Sequence, residues 1–238
     1  MRRFHLALGV AFAAGLAACA DRPAKANDQR VINEREIESD GTTKVMAEIW
    51  VDNWFALSVN GAPLIQDSVP FKTERSFNAE RVTFNTDLPA TIAFEFRDFR
   101  ENDTGLEYIG TGRQQIGDGG AIVQFTDAET GALLKVSNST WKCLVINRAP
   151  LDEACAKESD PQEGEGPCAA EIRDAPAYWT APNFDDSQWA AATEYSALEV
   201  SPKDGYDELD WKPGAKLIWS DNLKLDNTLL CRTVIARG

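Results

Sequence analysis

The sequence predicts an all-β protein, an antiparallel β-sandwich or jelly roll with long loop insertions. Three observations carry this. Short runs rich in β-branched and aromatic residues recur between turn signals along the chain. Asn60-Gly61 lies between two of these runs and is the preferred pair for a tight hairpin. No segment has the length and 3.6-residue period of the helices that an α/β sheet requires. At 238 residues the chain has room for one large β domain or two small ones.

Residues 1–18 stand apart from that fold. Arg2 and Arg3 are basic, 6–14 is apolar, and Gly15-Leu16-Ala17-Ala18-Cys19 follows, the make-up of a secretory signal. The apolar stretch is too short to span a bilayer. Its end resembles the lipobox of bacterial lipoproteins, whose cysteine is diacylated and becomes the new N-terminus. The resemblance implies lipidation at Cys19, and Ala20 after it implies an outer-membrane address, with the periplasmic or surface face left open. Residues 19–43 are polar and charged and read as the lipidated cysteine and a flexible tether, with a helical tendency at 31–37. The domain then covers 44–238.

Losing the leader sharpens the chemistry. The formal charge is −14, and removing Arg2 and Arg3 makes it −16. So acidic a chain repels nucleic acid and anionic headgroups, which leaves the lipid as the membrane contact. The single histidine is His5, inside the leader. The mature chain therefore lacks Ser-His-Asp and Cys-His catalysis and histidine-ligated metals. Four cysteines remain, and in an oxidising envelope they read as disulfides with three possible connectivities. The preferred one joins Cys155 to Cys168 around a polar loop and Cys143 to Cys231 across strands.

The strand signals follow in order. Residues 44–59 alternate, with Val51, Asn53, Phe55, Leu57 and Val59 on one face and Trp50, Asp52, Trp54, Ala56 and Ser58 on the other. After the Asn-Gly turn, 62–66 returns. Strands are expected at 81–86 and at 91–98, the latter with Ile92, Phe94 and Phe96 opposite Ala93, Glu95 and Arg97. Residues 100–119 are a turn-rich loop. Residues 121–125 and 133–136 flank a turn, 141–146 is a strand, and 147–177 is an acidic irregular insertion. In 182–192, Asp185 or Asp186 is a candidate N-cap for one helical turn at 187–192. Trp189 then points inward, as the anchor for the earlier strands. Residues 228–236 close the fold.

The order of motifs resembles that of galactose-binding-like β-sandwich domains. Asp52-Asn53-Trp54-Phe55-Ala56-Leu57-Ser58-Val59-Asn60-Gly61 is similar to their strand and hairpin. Thr140-Trp141-Lys142 is similar to a mid-domain strand, and Phe184-Asp185-Asp186-Ser187-Gln188-Trp189 to their F-D-D-S-x-W segment. Ile218-Trp219 and Leu230-Cys231-Arg232 are similar to the final strands. The resemblance covers about 45–236. It implies carbohydrate or glycan binding, often with a structural calcium. Ligand residues vary within the family, so none is carried over.

Candidate ligand residues come from the alternation. Trp50, Asp52 and Trp54 are expected on one outer face, with Glu95 and Arg97 beside them. Ring faces suit the CH side of a sugar and carboxylates its hydroxyl donors. The acidic groups around Asp98 to Asp103, Asp185-Asp186 and Asp221 to Asp226 offer calcium ligands or turn caps. The expected function is a lipid-anchored, extracytoplasmic glycan-binding module. The alternatives are an envelope scaffold or adhesion protein, and a carboxylate glycosidase, for which no catalytic residues are assigned.

Overall fold

The computed structural model describes residues 32–75 and 77–237. The expected leader, the expected lipidation at Cys19 and residues 19–31 of the expected tether fall outside the described residues. In chain order the strands are β1 Ile32–Glu36, β2 Thr43–Asp52, β3 Trp54–Val59, β4 Ala62–Gln66, β5 Ala79–Thr86 and β6 Ala90–Arg97. A small hairpin, β7 Leu106–Glu107 and β8 Gln115–Ile116, follows. Then come β9 Gly120–Asp127, β10 Leu133–Val136, β11 Lys142–Arg148, β12 Glu171–Ile172, β13 Ala190–Ala191, β14 Thr193–Tyr195, β15 Leu217–Trp219 and β16 Asp226–Ile235.

Two seven-stranded sheets pack face to face. The first runs β1-β5-β2-β9-β15-β14, with β10 also on β9. The second runs β12-β11-β16-β6-β3-β4, with β13 also on β11. Among the described residues all strand pairs are antiparallel except β1 with β5. The sandwich fold class is thus the one the sequence predicts. Asn60 and Gly61 both take positive φ, 50° and 88°, as the tight β3–β4 turn requires.

The core lies between the sheets. Val45, Ala47, Ile49 and Val51 point in from β2, and Ile92, Phe94 and Phe96 from β6. Aromatic rings cross the interface: Phe94 lies 6.5 Å from Phe125, and Phe96 lies 6.3 Å from Trp219. The inward residues of β2, β3 and β6 are those the alternation selects.

Between β2 and β3 the chain leaves one sheet and enters the other. Asn53 is the corner post. Its backbone N–H donates to Arg97 O at 2.8 Å, its Oδ1 accepts from Phe99 N at 2.6 Å, and its Nδ2 donates to Glu74 O at 3.1 Å.

Two expectations need correction. Residues 32–36, read as tether with helical tendency, form β1 on the edge of the first sheet. Arg35 reaches the fully buried Glu80 of β5, donating from both Nε (3.2 Å) and Nη2 (2.9 Å). The 182–189 stretch is not the inter-sheet anchor, and 187–192 is not helical. Asp185 Oδ1 accepts from Ser187 N at 3.0 Å, closing a turn rather than capping a helix. Trp189 is buried, but it packs with Trp179 and Phe184 on the outer side of the second sheet. There Asp186 Oδ2 binds Arg232 Nε at 2.7 Å. An outward-facing Arg232, buried by this layer, draws the segment to the outside.

The expected disulfides are present. Cys143 and Cys231 face each other across the β11–β16 register. Cys155 and Cys168 close the acidic insertion and pack on Leu106 of β7. In the chain-entropy account, closing a loop of that length contributes about 3 kcal/mol. Among the described residues no helix is long and apolar enough to cross a membrane.

Candidate functional site

The expected tryptophan platform is split between the two outer faces. Trp50 lies outside the first sheet and is fully buried. It packs with Ile122, Val200 and Leu217, its Nε1 donates to Asp204 O at 3.1 Å, and Tyr206 stands edge-on at 5.8 Å. The covering layer is 196–215, which begins with the short helix α1, Ala197–Val200. Ser196 and Glu199 form a capping box at its start. Gln124 ties the same layer down, donating to Asp210 O and accepting from Lys212 N. Trp50 is therefore a core residue and not, as expected, a ligand residue. A large apolar ring on an outer face gains more from a second layer than from water.

Trp54, Glu95 and Arg97 do meet, outside the second sheet. The β3–β6 register sets Trp54 opposite Arg97 and Ala56 opposite Glu95. Arg97 lays its guanidinium over the Trp54 ring, 4.7 Å from the centroid, and its Nε donates to Glu95 at 2.6 Å. Beside them runs a groove of about 380 Å³, bordered by Phe71, Glu95, Arg97, Arg100, Asn147, Ile172, Arg173 and Thr228.

Asn147 is the residue that sequence reasoning missed. It is 3% exposed, yet neither its amide oxygen nor its amide nitrogen has a hydrogen-bond partner among the described residues. Such a group costs about 1–3 kcal/mol when left unpaired. Its place in the groove follows from register, since Asn147 pairs with Thr228 and Thr228 with Arg97. Those three positions are far apart in sequence, and only the β11–β16–β6 pairing brings them together.

Asp52 is in neither face's groove. It stands at the end of the sandwich, in a pocket of about 340 Å³ with Glu74, Phe77, Glu107, Tyr108, Asp118 and Lys203 among its walls. Asp52 is 2% exposed and its Oδ2 makes no hydrogen bond. Burial pushes its carboxyl well above the usual carboxylate range. Lys203 opposes that rise, and Asp118 and Glu107 add to it. Asp98, behind it in the interior, is pushed up as well, first by burial and then by Asp52, Glu107 and Asp118.

These shifts predict a pH effect with a definite sign. The unfolded chain sheds the Asp98 proton near pH 4, while the folded chain holds it. Above that pH the unfolded state binds fewer protons, so stability falls as pH rises toward the raised folded pKa. Asp98→Asn removes the penalty. Its advantage over wild type should be near zero at pH 4 and should grow by pH 8. Urea midpoints at both pH values measure it; an advantage that shrinks with rising pH would contradict the sign.

The acidic clusters serve as turn caps and ion pairs. Asn102 Oδ1 accepts from Thr104 N, Asp103 pairs with Arg100, Asn222 Oδ1 caps Lys224 N and Leu225 N, and Asp226 binds Arg148. Among the described residues no group of three His, Cys, Asp or Glu side chains is arranged to hold a metal ion. Comparison with known proteins finds no matching family model, no matching curated protein and no matching solved structure.

Proposed function

We propose that this chain is a glycan-binding module of the galactose-binding-like class, lipid-anchored through Cys19 and held extracytoplasmically at the bacterial outer membrane. The carrying observation is Asn147, a buried amide with both atoms unpaired beside a groove that also offers Glu95, Arg97 and the Phe71 ring. An amide with a free donor and a free acceptor matches a sugar hydroxyl, which is both. Glu95 accepts from hydroxyls, Arg97 donates to ring and linkage oxygens, and Phe71 offers a face to the CH side of a sugar ring. Trp54 acts one step back, as the surface that fixes Arg97.

Supporting the class, the motifs of the resemblance fall on β3–β4, the start of β11, the 184–189 turn and the β15–β16 end of the sandwich. At this groove Arg97, Arg100 and Arg173 are offset by Glu95, Glu101 and Asp103, so the local charge balances and suits a neutral glycan.

A glycan array on the mature domain, followed by calorimetry on any hit, tests the reading. Asn147→Leu should weaken binding by about 1–2 kcal/mol, a modest hot spot, while leaving the melting midpoint unchanged or slightly raised. An empty array, with capture of an envelope protein on the same face, would replace the glycan reading by the scaffold one. Reducing-sugar release from a bound glycan would replace it by the glycosidase.

A further inference from the structure

We propose that the pocket at the end of the sandwich is a second binding site, built to take a small organic cation carrying a primary ammonium. It shares no residue with the groove of the second sheet, so it stands or falls separately from the glycan reading.

The first observation is Asp52. It is buried, it lines the pocket, and its Oδ2 has no hydrogen-bond donor. The second is the position of Lys203. Its Nζ stops 3.9 Å from Asp52 Oδ2, beyond hydrogen-bond distance, and lies 4.9 Å from the centroid of the Phe77 ring. A carboxylate and an aromatic face thus define one cation position, and Lys203 fills it incompletely. Its side chain is 47% exposed and attached outside the sandwich, so it can swing into solvent when a better-fitting ammonium arrives.

The charge of the walls selects for a cation. Five carboxylate side chains line the pocket, among them Glu107, Asp118 and Asp204, against the two bases Lys203 and Arg75. A neutral ligand would leave that field unanswered. A metal ion fits less well, since no three of these carboxylates are arranged to share one, and Phe77 is no metal ligand. An alkylammonium uses both features, with N–H bonds to the carboxylate and charge over the ring. As it settles, its charge favours the ionised form of Asp52, as that of Lys203 now does.

The probe is n-butylammonium, the end of a lysine side chain as a free ion, titrated into the whole mature chain and followed by NMR. n-Butanol is the neutral counterpart and Ca²⁺ the metal counterpart. Lys203→Ala should tighten n-butylammonium binding by about tenfold, because the internal competitor is gone. Lys203→Gln is the second variant should the first fold poorly. Adding Asp52→Asn should reverse the gain. The proposal is overturned if n-butanol binds as well as the ammonium, if Ca²⁺ saturates the pocket and displaces the probe, or if neither Lys203 variant binds the probe.

Discussion

Trp50→Ala is expected to lower the unfolding free energy by about 3–5 kcal/mol, the range for deleting a fully buried large aromatic. The ring fills the space between β2 and the 196–215 layer, against Ile122, Val200 and Leu217. Its indole N–H also holds the Asp204 carbonyl, next to Lys203. The variant should therefore loosen the wall of the end pocket as well as the fold. The half-buried Trp54 lies under Arg97 on the opposite side, and Trp54→Ala should cost no more than about 1 kcal/mol. Denaturant melts of the two variants give the comparison. A Trp50 variant as stable as wild type would mean that the covering layer does not pack on the first sheet.

Arg148→Met should cost a similar amount, about 3–5 kcal/mol, because it strands a buried charge. Asp226 is fully buried at the start of β16. Arg148 of β11 grips it with two bonds, Nε to Oδ1 at 2.5 Å and Nη2 to Oδ2 at 3.0 Å. Removing the guanidinium leaves the carboxylate desolvated and unpaired. The check is a double variant. Arg148→Met with Asp226→Leu should recover most of the loss, since the carboxylate stranded in the single variant is then gone. A double variant as unstable as the single would place the damage elsewhere, in the β11–β16 register itself.

The alternation in 44–59 shows how far sequence reading reaches. It separates inward from outward: Val51 and Phe55 face the core, and Trp50 and Trp54 face away from it. It does not make the outward residues neighbours. At Asn53 the chain crosses from one sheet to the other, so residues on the same side of the alternation end on opposite outsides of the sandwich. Parity survives such a crossing, but adjacency does not. The Cys155–Cys168 pair was legible because a short polar loop brings its ends together. Cys143–Cys231 was legible because two strand runs without other partners remained. Glu95 and Arg97 are legible as outward residues of one strand beside Trp54, and Asn147, brought next to them across β16, is not.

By itself, then, the sequence determined the local and alternating features. These are the β class, the Asn60-Gly61 turn, the inward faces of β2, β3 and β6, the four oxidised cysteines and the acidity of the chain. Each depends on residues a few positions apart or on composition. The tertiary structure alone decided what lies opposite what. It folded 196–215 over Trp50, drew 182–189 to the outside through Arg232, set Asn147 beside Arg97 through β16, and left Asp52 at the sandwich end facing Lys203. The reason is physical. Those juxtapositions come from strand register and sheet packing between segments up to about 150 residues apart, as Trp50 and Asp204 show, and no local propensity carries that information.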